Sequence, residues 1–536
     1  MSALIRQATP KDALPWLDLL QAALGSNYPV KEVYDPAWVA TQLDGASGQE
    51  TWVVESEGQL EAGITILPPT GQYANPITNV ARNFFRTRSY VSGAARELLA
   101  AVDKLAAQRG HWIIARVLAS DYAQQTLLEN AGFVCVGYQP YKHAHPGREG
   151  VLFYLRMGPR EAIARLPLSE SLPQINELAA TVLTRLDISP PRVVRDGAIG
   201  YPLRTELSYH EATLDDFDLW RTQALAANLP NEVSSGYHLG FGWLRVATDT
   251  APLAFLGQRD DRIAAGLAHI FDSQDKCLRI IDAFFSDDLS GGAMLAHAVK
   301  LAEAQPGAAY VEIDILMTAP RLLKSAEQLG FVPVAYLPAF FLHGSQCADV
   351  AKLIKLNIPY AVENPEFTAQ AGSIVEIVNR SFQDQKLGTA VIGLLQSLSI
   401  FQGLGEGELR KIARLFTQKL YRPGEVIFQQ GDRSSEAYVI MRGQVDILLE
   451  SHPQPVARLT TGQIFGEQAF LDGNVRDASA AASQACILLV VQRSAFNDLA
   501  QHEPHLGMVI MRNIAGELSN KLRRTDALVS SVRRNI

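Results

Sequence analysis

The chain has 536 residues, 47% hydrophobic and 19% charged, a balance that allows packed cores and excludes a disordered polymer. Its formal net charge of -8 and pI near 5.8 give no global attraction for nucleic acid or an anionic membrane. At about 100 to 200 residues per domain, the length calls for roughly three or four folded units. Cys135, Cys277, Cys347 and Cys486 form no CxxC pair, so no zinc site, other metal or disulfide framework is expected. The start MSALIRQATPKDA lacks a basic segment followed by an apolar one, and no run reaches the about 18 apolar residues of a membrane helix. A cytoplasmic protein with neither membrane nor nucleic-acid partners is expected.

In chain order, the elements repeat. QATPKD recurs as EATLDD, with Ala8-Thr9 and Ala212-Thr213 followed by Asp12 and Asp216, a strand end feeding a helix. LEAGITIL around Gly63 matches IAAGLAHI around Gly266, each a strand preceded by a turn. NFFRTRSYVSGAARELL parallels AFFSDDLSGGAMLAHA: Phe84-Phe85 and Phe284-Phe285 end strands, and Ser92-Gly93 and Ser290-Gly291 open helices. GFVCVGYQP from Gly132 matches GFVPVAYLP from Gly330, and 39 residues separate Gly93 from Gly132 and Gly291 from Gly330 alike. The shared order points to a duplicated domain. Each copy reads as strand, helix, three strands, helix, strand, helix and paired strands, with HWIIARV and AYVEIDI before the last helix, a mixed α/β layer.

This order, with its strand, small-residue turn and helix, resembles the GNAT acyltransferase superfamily over about 1–157 and 204–356. The expected division is 1–160, a first GNAT-like domain; 161–203, a helical connector; 204–357, a second, degenerate copy; 358–390, a linker helix; and 391–536, a C-terminal domain. The resemblance implies acetyl-CoA or another acyl-CoA as co-substrate. A helix start without bulky side chains offers free N–H groups and partial positive charge to a pyrophosphate. The first turn runs Tyr90-Val91-Ser92-Gly93-Ala94-Ala95, with Arg82, Arg86, Arg88 and Arg96 around it. The second runs Asp288-Leu289-Ser290-Gly291-Gly292-Ala293 after Asp287, and its carboxylates would repel a polyanion. Arg86, Arg88, Val91, Ser92, Gly93, Ala94 and Ala95 are therefore the expected cofactor residues. Gly and Ala at such a turn also serve close helix packing, which is the role expected in the second copy.

Acyl transfer from a thioester to an amine needs a deprotonated amine, a polarised carbonyl and a stabilised thiolate. The resemblance implies a Tyr on the last helix, four residues before the Gly-Phe pair, but Leu128 and Ala326 stand there. Tyr138 and His145, with Pro140, recur as Tyr336, His343 and Pro338, and Tyr138 and His145 are the catalytic candidates. Residues of these types in paired strands also act as packing or rim groups. No base is assigned.

The connectors SLPQINELAATVLTRL and AVENPEFTAQAGSIVEIVNRSFQDQK read as helices. From Leu394 the pattern changes to short strands and turns, YRPGEVIFQQGDRSSEAYVIMRGQVDILL, a β-roll in which MRGQVDI reads as a hairpin around Gly443. This segment resembles the cyclic nucleotide-binding domain family from about Leu394 to Leu522. The resemblance implies a phosphate cassette of Phe465, Gly466, Glu467, Ala469, Arg476, Ala478 and Ser479. Glu467 would accept the ribose hydroxyl, Arg476 would pair with the cyclic phosphate, and Ser479 with backbone amides would complete the cage. cAMP is expected ahead of cGMP. HLGMVIMRNIAGELSNKLRR supplies helices that close over a ligand. The remaining TDALVSSVRRNI is too short for a winged helix, so regulation is expected to act on the rest of the chain or a partner.

The fold class expected is α+β: two GNAT-like mixed α/β domains plus a C-terminal β-roll with flanking helices. Two functions compete. The first is an acyl-CoA-dependent N-acyltransferase, acetyl being the expected group, under allosteric control by a cyclic nucleotide and acting on a small-molecule or protein amine. The second is a non-catalytic, cyclic-nucleotide-responsive adaptor whose GNAT-like domains bind a metabolite or protein partner. A homodimer is compatible with either.

Overall fold

The computed structural model describes residues 4–25, 31–45, 48–67, 77–110, 112–143, 147–157, 165–195, 198–226, 252–273, 275–343, 346–362, 365–516, 519 and 523. The chain divides into two compact units, Met1–Phe382 and Gln383–Ile536.

In the first unit, β1 (Leu4–Gln7), β2 (Glu50–Ser56), β3 (Gln59–Leu67), β4 (Ile77–Phe85), β5 (Trp112–Leu118), β6 (Val134–His143) and β7 (Glu149–Arg156) form one half of a sheet. The other half is β8 (Ser208–Ala212), β9 (Leu253–Arg259), β10 (Arg262–Asp272), β11 (Cys277–Phe285), β12 (Tyr310–Leu316), β13 (Val332–His343) and β14 (Gln346–Leu356). The spatial order is β1-β2-β3-β4-β5-β7-β6-β13-β14-β12-β11-β10-β9-β8. Read inward from either edge, the two halves therefore repeat one order. Among the described residues of this sheet, only β4 with β5 and β11 with β12 run parallel as neighbouring strands.

Helices α1 (Ala13–Leu24) and α2 (Pro36–Leu43) follow β1, α3 (Thr87–Ser92) and α4 (Ala94–Gln108) follow β4, and α5 (Tyr122–Asn130) follows β5. After the connector helix α6 (Pro173–Arg185), the second half places α7 (Leu214–Ala226), α8 (Ser290–Ala304) and α9 (Pro320–Gln328). Leu98, Leu99, Val102 and Ala106 line one stripe of α4 and are buried, the helical period laid on an apolar sheet. At the first small-residue turn a short helix precedes the glycine. Residues 87–92 are helical, and Gly93, at φ 86°, is the kink between α3 and α4, a conformation glycine takes without a side-chain clash.

The halves meet where Gly137 of β6 faces Ala335 of β13. A Cβ on Gly137 would lie 2.2 Å from that of Ala335, so the bare backbone lets the strands close. Beside this contact, Glu312 on β12 accepts Lys142 Nζ of β6 at 3.0 Å and Gln139 Nε2 at 2.9 Å, and meets Arg279 Nε of β11 at 2.7 Å. Lys352 of β14 lies 3.9 Å from Glu312 and bonds Asp314 at 2.9 Å. All are buried. Burial alone would raise the Glu312 carboxyl, but Lys142, Lys352 and Arg279 together hold it well below the usual carboxylate range.

The second unit is a roll of two four-stranded sheets. With β15 (Phe416–Tyr421), β16 (Val426–Phe428), β17 (Glu436–Arg442), β18 (Gln444–Leu448), β19 (Ala457–Thr460), β20 (Ile464–Phe465), β21 (Ser479–Ala482) and β22 (Cys486–Gln492), the sheets run β15-β22-β17-β20 and β16-β21-β18-β19. Helix α10 (Ala369–Ser397) leads in and α11 (Glu406–Ala413) follows it; α12 (Glu467–Asp472) sits between β20 and β21, and α13 (Arg493–His502) and α14 (504–516) follow the roll. The hairpin expected around Gly443 is not formed. β17 and β18 belong to different sheets, and Gly443, at φ 102°, turns the chain from one to the other with Ala485 O only 2.5 Å from where a Cβ would stand. No helix among the described residues is long and apolar enough to cross a membrane.

Glu312→Gln removes the shared negative charge and leaves buried cations uncompensated, so the first unit is expected to lose roughly 3–5 kcal/mol of stability. All six tryptophans lie in that unit, so urea unfolding followed by tryptophan fluorescence reads it directly. An unchanged midpoint would show that the seam does not depend on this carboxylate.

Candidate functional site

In the roll, Arg476 follows α12 and is 3% exposed. Its Nε donates to Ser434 Oγ at 2.9 Å, Nη1 to Gly466 O at 2.9 Å and Nη2 to Glu436 O at 2.8 Å. The guanidinium lies 4.1 Å from the Phe428 ring centroid and 5.8 Å from that of Tyr438, close enough for cation–π attraction. Burial pulls its pKa down from the usual arginine value, with Tyr438 and Glu436 opposing that shift. The backbone is fixed as well: Arg476 N–H donates to Asp432 O at 2.9 Å, and Gly431 N–H donates to Arg476 O at 2.8 Å.

The other cassette residues gather around it. Gly466, at φ 77°, caps α12, which begins at Glu467. Phe465 is buried and stacks on Tyr438 at 5.0 Å. Ala469 is buried, and Ala478 and half-buried Ser479 lead into β21, where Ser479 Oγ accepts Gln430 N–H at 2.9 Å. Sequence reasoning missed Ser434, Glu436, Phe428 and Tyr438, which aim the arginine. Only the run GDRSSEAY, polar residues just before a strand, could have hinted at them. The arrangement offers a fixed, buried cation beside a carboxylate-bearing helix start, which suits a small anion carrying hydroxyl groups.

In the first unit, β4 and β5 pair only from Ile77 to Val80 with Trp112 to Ala115. Beyond these residues the two strands are not paired, and β4 leads into α3 while β5 leads into α5. Arg86 donates Nε to Leu60 O at 2.8 Å and pairs with Asp18, and Arg88 donates Nε to Glu61 at 2.7 Å. Both expected phosphate ligands thus already face carboxylates. Val91 is 91% exposed. Ser92 Oγ sits 3.4 Å from Ala94 N, and Ala94 and Ala95 are buried against the sheet.

The corresponding turn of the second half is covered by its own chain. Tyr201, from the segment after α6, meets Phe285 edge-on at 5.1 Å and lies under Arg321 at 4.1 Å. A Cβ on Gly292 would come within 2.4 Å of Pro202 O. Those glycines therefore admit a strand of connector.

Tyr138 is not brought to either small-residue turn. It is 1% exposed, two strands from β5, and packs over Gly150 and against Phe367 at 6.1 Å. Its counterpart Tyr336 bonds Asp349 and accepts Arg165 at 2.9 Å. His145 lies outside the described residues. Among the described residues no group of three or more His, Cys, Asp or Glu is placed to hold a metal.

Residues 418–503 match the cyclic nucleotide-binding domain family. Over 130 residues the chain is 32% identical to the cyclic AMP receptor protein of Thermus thermophilus, covering 24% of this chain and 58% of that protein. Over 110 residues it is 33% identical to cGMP-dependent protein kinase 2 of Homo sapiens, covering 19% of this chain and 14% of the kinase. The solved catabolite activator protein of Thermus thermophilus is 29% identical over 25% of this chain and 62% of its own, with a TM-score of 0.23. The chain thus spans little more than half of the receptor and about a seventh of the kinase. Residues 418–503 are a cyclic nucleotide-binding domain.

Arg476→Ala removes the buried cation, and affinity for cAMP and cGMP is expected to fall by about 100-fold, the worth of one or two charge-assisted bonds. Calorimetric titration of both nucleotides tests this, with the tryptophan-free unit's helicity followed by circular dichroism. Wild-type affinity in the variant would place the phosphate elsewhere.

Proposed function

We propose that the chain is an acyl-CoA-dependent N-acyltransferase of the GNAT type, acetyl being the group carried, whose first repeat holds the coenzyme and whose nucleotide-binding domain regulates it. The observation that supports this reading is that the parallel pairing of β4 with β5 ends at Val80 and Ala115. Backbone N–H and C=O groups no longer paired to a neighbouring strand suit an extended arm with amides of its own. The arm's pyrophosphate would then meet the turn at Gly93, at the start of α4. In the transfer, the amine nitrogen gives up a proton and bonds the acyl carbon, and the C–S bond breaks to leave a thiolate. The acceptor class is a small-molecule or protein amine. cAMP as effector, rather than cGMP, follows the longer match to a protein named as a cyclic AMP receptor.

The first repeat is taken as the working copy because Tyr201 and Pro202 lie on the second repeat's glycine turn, where Asp287 and Asp288 also stand. The adaptor reading keeps its own support: Leu128 and Ala326 lack a phenol, Tyr138 is in the core, and Arg86 and Arg88 already hold carboxylates.

Val91→Glu places a carboxylate beside the turn at a solvent-exposed position, with no packing to lose. Acetyl-CoA is expected to bind wild type at about one site per chain and the variant about tenfold more weakly, by charge repulsion. Calorimetry reads the binding, and release of free thiol in the presence of amines reads the chemistry. Absence of any acetyl-CoA binding would hand the chain to the adaptor reading.

A further inference from the structure

Under helix α8 the second repeat carries three polar rings where the first carries hydrocarbon. Tyr209 of β8 lies flat on His297 of α8, with centroids 3.6 Å apart and planes 2° from parallel, and the Phe255 ring of β9 touches both His297 and His269 of β10 at 5.6 Å. Gly257 of β9 makes room for the phenol, since a Cβ there would stand 2.7 Å from Tyr209 Cε1. Tyr209 Oη, His269 Nδ1 and His297 Nε2 are all buried without a hydrogen-bond partner, and His269 as a whole is 6% exposed. Three such atoms in one cluster cost stability that packing alone does not require.

The repeat supplies an internal comparison. Tyr209 stands four residues before Thr213 as Ile5 does before Thr9, His269 three after Gly266 as Ile66 does after Gly63, and His297 six after Gly291 as Leu99 does after Gly93. Strand pairing agrees, with Ile5 opposite Val54 and Tyr209 opposite Gly257. Ile66 and Leu99 are buried, and Ile5 packs against the same core. The fold therefore accepts apolar residues at all three places. What the imidazoles add is a capacity that hydrocarbon lacks, the uptake of protons near neutral pH.

Their surroundings oppose that uptake. Burial lowers His269 to about 4, with His297 adding to the shift, and burial lowers His297 to about 4, with Lys300 of α8 adding to it. The Tyr209 face would attract an imidazolium, but the N–H at His297 Nε2 would have no acceptor. Carboxylates on the neighbouring elements are engaged or in water. Asp287 pairs with Arg259 of β9, Asp272 of β10 with Arg279 of β11, Asp282 of β11 with Arg221 of α7, and Glu303 of α8 with Lys355 of β14, while Glu211 of β8 is exposed opposite Phe255.

We propose that His269 and His297 form an acid-sensitive clasp of the second repeat, which holds the edge strand β8 to helix α8 through Tyr209 while both imidazoles are neutral and releases β8 when they take up protons. Above about pH 7 the imidazoles are neutral in the closed and the opened state, and pH favours neither. As pH falls from about 6.5 toward about 4, the opened state takes up protons that the closed state refuses, so stability is lost across that window. The clasp is independent of the coenzyme reading.

Thermal unfolding of the full-length chain, followed by tryptophan fluorescence near pH 7.5 and near pH 5 at one ionic strength, compares wild type with His269→Ile/His297→Leu, which installs the first repeat's residues. Wild type is expected to lose about 5 °C more on acidification than the variant. Amide exchange of residues 208–212 is compared between the two proteins at equal pH, so that intrinsic rates cancel, and the ratio of wild-type to variant rates is expected to rise about tenfold from the higher pH to the lower. If the double variant does not fold, His269→Ile and His297→Leu singly take its place, each with about half the shift in midpoint. Tyr209→Phe keeps the ring and both imidazoles and is expected to keep the wild-type pH dependence. Parallel pH profiles in wild type and the histidine variants, an exchange ratio that does not change with pH, or a Tyr209→Phe profile as flat as the histidine variant's would each overturn the clasp.

Discussion

Glu312 is a single buried carboxylate shared by strands from both halves of a fourteen-stranded sheet, and the arrangement of the first unit depends on it. Lys142 reaches it from the first repeat, Arg279 and Lys352 approach it from the second, and Gly137 lets the two backbones close beside it. A carboxylate so held would be costly to bury alone and is stabilising only with its cations in place. The seam joins β6 to β13 and leaves each parting strand pair, β4 with β5 and β11 with β12, well inside its own half. In the second half the connector lays Tyr201 and Pro202 on the turn that follows β11.

The nucleotide-binding domain obeys a related constraint. Arg476 is buried beside aromatic rings and satisfied by Ser434 and the carbonyls of Gly466 and Glu436. A cyclic phosphate at this site would exchange some of those neutral acceptors for anionic ones. Because Gly466 also caps α12, the exchange bears on the helix that carries Glu467. Regulation then needs only that the nucleotide prefer one of two arrangements, since equal affinity for both shifts nothing.

Much of this was legible in the sequence where the signal is local or periodic. The equal 39-residue spacing from Gly93 to Gly132 and from Gly291 to Gly330 marks the repeat whose strand orders mirror each other, and the run from Phe465 to Ser479 marks the cassette. What was not legible depends on partners distant in the chain. Arg86 and Arg88 read as phosphate ligands, but Asp18 and Glu61 reach them across 68 and 27 residues. Asp287 and Asp288 marked the second turn for packing, but only the fold shows that Tyr201 and Pro202 are what lies on Gly291 and Gly292. Tyr138 repeats because the seam repeats, and its place is in the core. Gly443 reads as a hairpin because the pattern of two flanking strands does not say whether they share a sheet.

The most direct test of the account titrates acetyl-CoA into the full-length chain by calorimetry, without and with saturating cAMP. The account predicts one site per chain whose affinity changes when cAMP is bound, with a reciprocal change in cAMP affinity of the same factor. Binding of cAMP with no acetyl-CoA site in either condition would contradict it.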